Sequence, residues 1–453
     1  MDKADFKTLT TGSTWENIWR MSWPMLLVMV FNILVGLTDV YVAGFLGPEI
    51  QAIVGFVSQL FFVMVIVANS ISIGTVALLS RAVGAGRNED AMDIARQSLL
   101  FGLVTAAVLS VTWLVFTDWI IGLAGFSGDT SRIAGDFFVV FSLALAPNYM
   151  VIISNAIFRA GGEVKLALAA MFLISIINIC LNFLLVFGVA GIPGIGYRGI
   201  AFSTALAMFA GALVCFLLLR KSRWSIIFSG RWTMTGSLIR RIMHISWPSA
   251  IIQMSWNAAN IFLYGILGRL GDAGITGMAA LTNGLRIEAA FYLPAVALHM
   301  AGSVLTGQNL GAQQPERAER IGWKITWAGV LMVAVFSFPV FFWPELFASI
   351  VSRDSAVLAE TARYLRITMV VEPFVALAAI IAGCLQGAGD TKGTMAVIAF
   401  SMFFIRLPLA YLLAVTLAWG AVGIWLSMAG SILFQGFGMV IRFRGGRWKT
   451  LRP

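Results

Sequence analysis

Long apolar stretches recur along this chain and alternate with short segments that hold most of its charged residues. An α-helix needs about 20 consecutive apolar residues to cross the hydrocarbon core of a bilayer. The pattern therefore predicts an all-α polytopic membrane protein with twelve transmembrane helices. These spans are predicted at residues 23–46, 55–80, 97–117, 137–158, 166–188, 199–219, 245–268, 277–306, 322–344, 364–385, 393–416 and 420–441.

Composition supports this class, because 59% of the residues are hydrophobic and only 11% are charged. Soluble domains carry roughly 25% charged residues, so this chain has too few charges to cover a water-exposed surface. The three cysteines, Cys180, Cys215 and Cys384, fall inside apolar stretches and predict neither a disulfide framework nor a metal cluster. The first stretch follows a polar segment and precedes many others, so we expect it to be retained and not cleaved as a signal peptide.

Lysines and arginines accumulate in alternate loops, and this bias predicts the orientation of the chain. If the N-terminus is cytoplasmic, 23 of the 31 basic residues fall on the cytoplasmic side and six in external loops. Positive residues favour the cytoplasmic side of membrane helices. We therefore expect both termini in the cytoplasm, a location in the cell (inner) membrane, and no nucleic-acid partner despite the net charge of +10.

The two halves of the chain resemble each other. "SWPMLL" (22–27) recurs as "SWPSAI" (246–251), "RAVGAG" (81–86) as "QNLGAQ" (308–313), "FRAGGEVK" (158–165) as "LQGAGDTK" (385–392), and "GIAFSTA" (199–205) as "GIWLSMA" (423–429). Four echoes in order indicate a duplicated six-helix unit, with the two copies related by an axis along the membrane normal. The predicted parts are an N-terminal segment (1–20), two six-helix lobes (21–219 and 245–441), a linker (220–244) and a basic tail (442–453).

Several segments resemble the multidrug and toxic compound extrusion (MATE) family. They are "TDVYVAGFLG" (38–47), "RAVGAG", "FRAGGEVK", "NICLNFLLVFG" (178–188) and "RIEAAFYLPAVALHMAGSVLTGQNLGA" (286–312), and the last is most similar to the DinF-like branch. The resemblance implies two pseudo-symmetric lobes around a V-shaped cavity. Nothing in the sequence requires more than a monomer in the lipid bilayer, so a monomer is expected. It also implies export of cationic or amphipathic organic compounds by antiport against H⁺ or Na⁺.

No energy source other than an ion gradient is visible in the sequence. The phosphate-binding pattern G-x-x-x-x-G-K-[ST] does not occur. We therefore expect no cofactor and no enzymatic activity.

Asp39 is the only acidic or basic residue (Asp, Glu, Lys, Arg or His) between Arg20 and Glu49, and it lies inside the first span. A carboxylate in a membrane-spanning helix costs about 2.5–3.5 kcal/mol on insertion scales, so it is a functional hypothesis by default. Counting depth from the predicted topology places Asn178 and Asn182 of span 5 and Thr204 of span 6 in the same outer layer. Such oxygen-bearing groups suit a hard cation or an acid that exchanges protons.

The resemblance implies the same cluster. Asp39 matches the helix-1 acid of DinF-like members, Asn178 a helix-5 asparagine and Thr204 a helix-6 threonine, whereas relatives often carry a second aspartate at the position of Asn182. With one acid in place of two, we expect H⁺ coupling to be favoured, with Na⁺ at Asp39, Asn178 and Thr204 as the alternative. Pro24 would let helix 1 bend during transport. The plain alternative for each amide and hydroxyl is a hydrogen bond that only joins helices.

Five further polar residues are secondary candidates for ion or substrate binding. Asn155 is suggested by the resemblance alone. In the C-terminal half, Glu288 is expected to pair with an arginine from another helix, and span 7 offers amides but no acid. The five are Asn155, Gln253, Asn257, Glu288 and Glu372.

Two other functions were weighed. A flippase for a lipid-linked precursor would need several basic residues inside its spans, and only Arg286 and Arg406 lie there. An intramembrane transferase would need clustered aspartates at the cytoplasmic face, and "RNEDAMD" (87–93) does not space its acids on one helix face. The exporter is the favoured prediction, and the flippase is the alternative.

Overall fold

The computed structural model describes residues 8–126, 128–189, 192–230 and 232–451. Helices dominate, and the two strands contain two residues each. The elements are α1 (Thr14–Phe45), α2 (Pro48–Gly84), α3 (Asn88–Leu123), α4 (Gly128–Ala160), α5 (Val164–Phe187), β1 (Gly188–Val189), β2 (Ile192–Pro193), α6 (Tyr197–Lys221), α7 (Gly236–Gly268), α8 (Asp272–Gly311), α9 (Pro315–Phe342), α10 (Pro344–Val351), α11 (Ser355–Gly387), α12 (Thr391–Phe400), α13 (Leu407–Tyr411) and α14 (Ala421–Arg444).

Twelve helices of the described chain are long and apolar enough to cross a membrane, which confirms the predicted number of spans and the all-α class. The eleventh span is not one regular helix, because π-helical segments at Ser401–Arg406 and Leu412–Thr416 flank α13. Most helices extend beyond the apolar windows at one or both ends, because helical hydrogen bonding continues into the polar interface. The short helix α10 was not predicted, since its eight residues are too few to cross a bilayer.

The described chain packs as two compact units. The first contains residues 27–244, and the second contains residues 9–26 and residues 245 onward. The first helix of each half is therefore divided, because 14–26 of α1 belongs to the second unit and 236–244 of α7 belongs to the first. The lobe and linker boundaries predicted from hydropathy mark where spans lie and not what they pack against, and they stay a prediction.

The repeated turns of the two halves have the same local structure. In "FRAGGEVK" the N–H of Glu163 donates to the carbonyl of Phe158 at 2.8 Å, and in "LQGAGDTK" the N–H of Asp390 donates to the carbonyl of Leu385 at 2.8 Å. Each turn also contains a glycine with positive φ, a conformation that closes a helix at little steric cost. The repeated sequence therefore corresponds to a repeated structure, with one copy of the turn in each unit.

Candidate functional site

Three helices of the first unit bring the four predicted polar residues together. Asp39 is contributed by α1, Asn178 and Asn182 by α5, and Thr204 by α6. The two asparagines are four residues apart, so they project from one face of α5. α5 and α6 pack along their length, and this contact brings Thr204 to the asparagines. The depth argument from the sequence thus identified residues that are neighbours in the fold.

These four side chains form a closed ring of hydrogen bonds. The Asn182 Nδ2 group donates to Asp39 Oδ1 at 2.7 Å and to Asn178 Oδ1 at 3.1 Å. Asn178 Nδ2 donates to Thr204 Oγ1 at 3.3 Å, and Thr204 Oγ1 in turn donates to Asp39 Oδ2 at 3.2 Å. Both oxygens of Asp39 therefore accept, one from an amide and one from a hydroxyl, as an ionised carboxylate requires.

Ser203 is a fifth member that the sequence analysis missed. Its hydroxyl donates to Asn182 Oδ1 at 2.7 Å, and the carbonyl of Ile200 is a second acceptor at 2.9 Å. The bond to Asn182 holds the amide with its oxygen toward α6 and its nitrogen toward Asp39. The sequence feature that could have indicated Ser203 is the pair "ST" inside "GIAFSTA", which places two hydroxyls on successive positions of α6. Successive helical residues point about 100° apart, so only one was assigned to the site from sequence.

Burial isolates the ring from water on most sides. Asn178, Asn182, Ser203 and Thr204 are buried, whereas Asp39 is partly exposed. Each of the four buried groups has a hydrogen-bond partner, which offsets the cost of removing it from water. In the described part of the chain, no basic side chain forms an ion pair with Asp39, so its charge is balanced only by dipoles.

Asn155 and Pro24 lie apart from this ring. Asn155 is a buried residue of α4, and its Oδ1 has no hydrogen-bond partner among the described residues. Pro24 lies within α1, which continues as a helix on both sides of it. A proline inside a helix removes one backbone hydrogen bond and marks a position where bending is easy.

Glu288 and Glu372 lie at the same level of the second unit. α8 and α11 pack so closely that a Cβ at Gly383 would meet the backbone of His299, and one at Gly387 would meet the backbone of Ser303. Both pairs are 84 residues apart, and the same offset aligns Glu288 with Glu372.

The expected ion pair of Glu288 is absent from the described structure. Arg406 interacts electrostatically with Glu288, but no ion pair within 4.0 Å links them in the described residues. The guanidinium instead lies 5.0 Å from the centroid of the Trp256 ring, and its Nε donates to Ser431 Oγ at 2.8 Å. The prediction failed because the sequence could not show which way the Arg406 side chain turns at the end of a π-helical segment. Glu372 is buried and makes no hydrogen bond with the described residues.

One of the two amide candidates of α7 is bonded locally. Asn257 Nδ2 donates to the carbonyl of Gln253 at 3.0 Å, one helical turn earlier. A pocket elsewhere in the same unit has aromatic and polar walls, including Trp256, Tyr292 and Gln435. Gln253 and Asn257 are not among its lining residues.

The helical composition and the twelve spans define a multi-pass membrane protein, and the family assignment follows from the sequence match. The MatE family model matches residues 24–184 and 248–412, one segment in each half. The two segments begin at Pro24 and Pro248, the repeated prolines of α1 and α7. This chain belongs to the MatE family. It is accordingly a transporter and not an enzyme.

Relatives and solved structures agree with this assignment. The chain is 23% identical to the "Probable multidrug resistance protein NorM" of Thermotoga maritima over 95% of this chain and 92% of that protein. It is 26% identical to the protein of the same name from Mesorhizobium japonicum, over 92% of each chain. A solved outward-facing structure of a multidrug resistance MATE family transporter of the MOP superfamily has a TM-score of 0.88 at 22% identity, covering 99% of this chain and 98% of that one. The fold prediction is confirmed, and the DinF-like branch stays a prediction.

Proposed function

We propose that this protein is a secondary active antiporter that exports cationic or amphipathic organic compounds in exchange for H⁺, with Asp39 as the ion-coupling acid. The observation that carries the proposal is the hydrogen-bonded ring around a single carboxylate in a transmembrane helix. Intramembrane acids are costly and are typical of ion and proton pathways. The names of the relatives, multidrug resistance proteins, support organic compounds as the cargo.

The direction of the hydrogen bonds favours H⁺ over Na⁺. A sodium ion needs several oxygen atoms that converge on one point, since hard cations prefer oxygen ligands. Here the oxygens of Asp39 and Asn178 converge on the amide nitrogen of Asn182, at 2.7 and 3.1 Å. The position that a cation would need is taken by an N–H group. Sodium binding would therefore require the Asn182 amide to turn, which would break its bond from Ser203.

Proton uptake would change the ring at Thr204. An amide N–H can only donate, whereas a hydroxyl can donate or accept. A protonated Asp39 would therefore place its hydrogen on Oδ2 and donate it to Thr204 Oγ1, reversing the present bond. The neutral acid would no longer attract an organic cation, and the altered contacts would bend α1 at Pro24. Proton uptake from outside would thus be coupled to release of the cargo.

We further propose the setting in which this exchange takes place. The excess of basic residues in alternate loops supports cytoplasmic termini and a location in the inner membrane. Nothing in the proposed exchange needs a second subunit, so we expect a monomer to be active.

The test is ethidium efflux from proteoliposomes, driven first by a pH gradient and then by a sodium gradient. Asp39→Asn keeps the size of the side chain but cannot exchange a proton, and we expect it to abolish efflux driven by the pH gradient. Asp136→Asn is the matched control, because Asp136 is an acid of the same unit that pairs at 2.9 Å with Arg198, near the starts of α4 and α6, where both side chains are partly exposed. It should retain most of the activity, since exposed ion pairs contribute little.

Two results would change the proposal. Efflux that persists in Asp39→Asn would remove Asp39 as the coupling acid. Efflux of the wild-type protein driven by sodium alone would replace H⁺ with Na⁺ as the coupling ion.

A further inference from the structure

The start of α1 is held by a dedicated set of side chains in the second unit. Residues 9–26 pack in that unit, while residues 27–45 of the same helix, including Asp39, pack in the first. The change of unit falls just after Pro24, where the helix lacks one backbone hydrogen bond. The two halves of α1 are thus attached to different bodies on either side of a weak point.

The attachment is made to backbone atoms of the segment that precedes α1. Leu9 N–H donates to Gln308 Oε1 at 2.8 Å, and Asn309 Nδ2 donates to the Leu9 carbonyl at 3.4 Å. Arg317 donates to the carbonyls of Thr11 and Gly12 at 3.1 and 2.9 Å. Gln308, Asn309 and Arg317 are called the α1 clamp below.

Further contacts reinforce the α1 clamp. Asn17 folds back from the first turn of α1 and donates to the carbonyls of Leu9 and Thr11 at 3.2 and 2.9 Å. Lys324 donates to the Thr14 hydroxyl at 2.8 Å. Leu9, Gln308 and Asn309 are all buried, so the bonds that Gln308 and Asn309 form with Leu9 are shielded from water. Bonds to backbone atoms of a short segment fix its path whatever its side chains are, which is how an anchor differs from ordinary packing.

The α1 clamp comes from a motif that the ion site does not use. Gln308 and Asn309 open "QNLGAQ", the second copy of the repeat whose first copy is "RAVGAG". At the equivalent positions the first copy has Arg81 and Ala82, so the first copy lacks both amides. The two amides are therefore specific to the half of the chain that receives the start of α1.

We propose that the α1 clamp anchors the start of α1 so that a change at Asp39 acts on the helix at Pro24 and does not merely shift the whole helix. About 18 Å of helix separates the unit boundary at Leu27 from Asp39, at 1.5 Å per residue. A helix held only at the ion site would move along its axis when the ring rearranges. A helix held at both ends must bend between them. Gln308, Asn309 and Arg317 are thus positioning residues for transport, and this role rests on the proposed function of Asp39.

The experiment separates binding from transport. We would measure ethidium binding across a pH series in detergent, and ethidium efflux from proteoliposomes driven by a pH gradient. The variants are Gln308→Ala, which removes the acceptor of the Leu9 N–H, and a chain that lacks residues 1–11, which removes most of the clamped segment. We expect both variants to bind ethidium with an affinity within about twofold of that of the wild type and with the same pH midpoint. Their rate of efflux should fall at least about tenfold. Unchanged binding together with reduced efflux would indicate that transport is uncoupled while the site around Asp39 is intact.

Gln97→Ala is the matched control. Gln97 Oε1 also accepts a backbone N–H, that of Thr235 at 3.0 Å, but it holds the segment before α7, a helix that contributes no side chain to the ring around Asp39. We expect this variant to keep at least half of the efflux rate. Equal losses in the Gln97 and Gln308 variants would overturn the specific role of the α1 clamp, and so would wild-type efflux in both α1 clamp variants. If the α1 clamp variants lost pH-dependent ethidium binding together with efflux, the α1 clamp would be needed only for folding, and its role in transport would be refuted.

The same assay distinguishes failure of this inference from failure of the proposed function. If Asp39→Asn binds ethidium with an unchanged pH dependence, the coupling role of Asp39 fails whatever the α1 clamp variants do. If Asp39→Asn loses the pH dependence and the α1 clamp variants transport normally, only the role of the α1 clamp fails.

Discussion

Replacing Asn182 with aspartate would set a second carboxylate against Asp39 in the ring. The amide nitrogen that now donates to Asp39 Oδ1 at 2.7 Å would become an oxygen, and the bond to Asn178 Oδ1 would also be lost. Two carboxylates in contact cannot both stay ionised without a shared proton or a bound cation. Ser203 would still donate to the outer oxygen of the new acid, so the side chain would keep its orientation.

The size of the effect follows from the contact distance. Two unit charges about 4 Å apart repel by about 4 kcal/mol at an effective dielectric constant of 20. That energy corresponds to a roughly thousandfold tighter hold on a proton or monovalent cation. Asp39 is partly exposed, and water with mobile ions screens exposed charges. We therefore expect the observed affinity for a proton or a monovalent cation to increase by about ten- to a hundredfold.

The assay is ethidium efflux as a function of internal sodium and of pH. Asn182→Asp should respond to sodium, and its pH midpoint should move toward alkaline values, because a bound proton is released less readily. Asn178→Asp is the comparison variant, since Asn178 donates to Thr204 Oγ1 and accepts from Asn182, and its interaction with Asp39 is weaker than that of Asn182, so its shift should be several-fold smaller. A folded Asn182→Asp protein with the sodium response and pH midpoint of the wild type would refute the assigned geometry of the ring.

Two further substitutions test the ring and the helix packing. Thr204→Val removes the hydroxyl that donates to Asp39 Oδ2, and a hydrogen bond to a charged group contributes about 1.5–3 kcal/mol. Efflux driven by a pH gradient should therefore fall about tenfold, and its pH midpoint should move to higher values. An unchanged pH profile would contradict the role of the hydroxyl. Gly387→Ala would force a Cβ against the Ser303 carbonyl where α8 and α11 touch, and overpacking of this kind costs about 1–3 kcal/mol. It should lower the melting temperature in detergent, while Gly265→Ala, whose Cβ meets nothing within 4 Å, should not, and equal melting temperatures would argue against direct backbone contact there.

Part of the hydrogen-bonded ring around Asp39 could be predicted because depth along membrane-spanning helices can be counted from sequence. Asp39, Asn178, Asn182 and Thr204 fall at similar distances from the ends of their spans, and because successive spans alternate in direction, these distances place the four residues in one layer. Counting does not reveal the rotation of each helix about its axis. The bond directions, the central place of the Asn182 nitrogen and the participation of Ser203 all depend on that rotation.

The second unit was predicted less well, for the same reason. Glu288 and Arg406 were both recognised as charged groups inside spans, and an ion pair was expected. In the structure the guanidinium packs over Trp256 and bonds to Ser431. Which surface a long side chain covers is decided by the local helix geometry, and here Arg406 is the last residue of a π-helical segment.

The sequence by itself determined the class of this protein, its twelve spans and its duplication, because hydrophobic length and repeated motifs are properties of the chain that need no partner. It also determined that Asp39 must be exceptional, since an acid in an apolar helix has a cost that depends little on the fold. Only the tertiary structure decided that Asp39 accepts from Asn182 and Thr204, and that Gln308 and Asn309 hold the start of α1. Hydrogen bonds act over about 3 Å and depend on angle, so partners distant in the chain are chosen by packing and cannot be read from spacing.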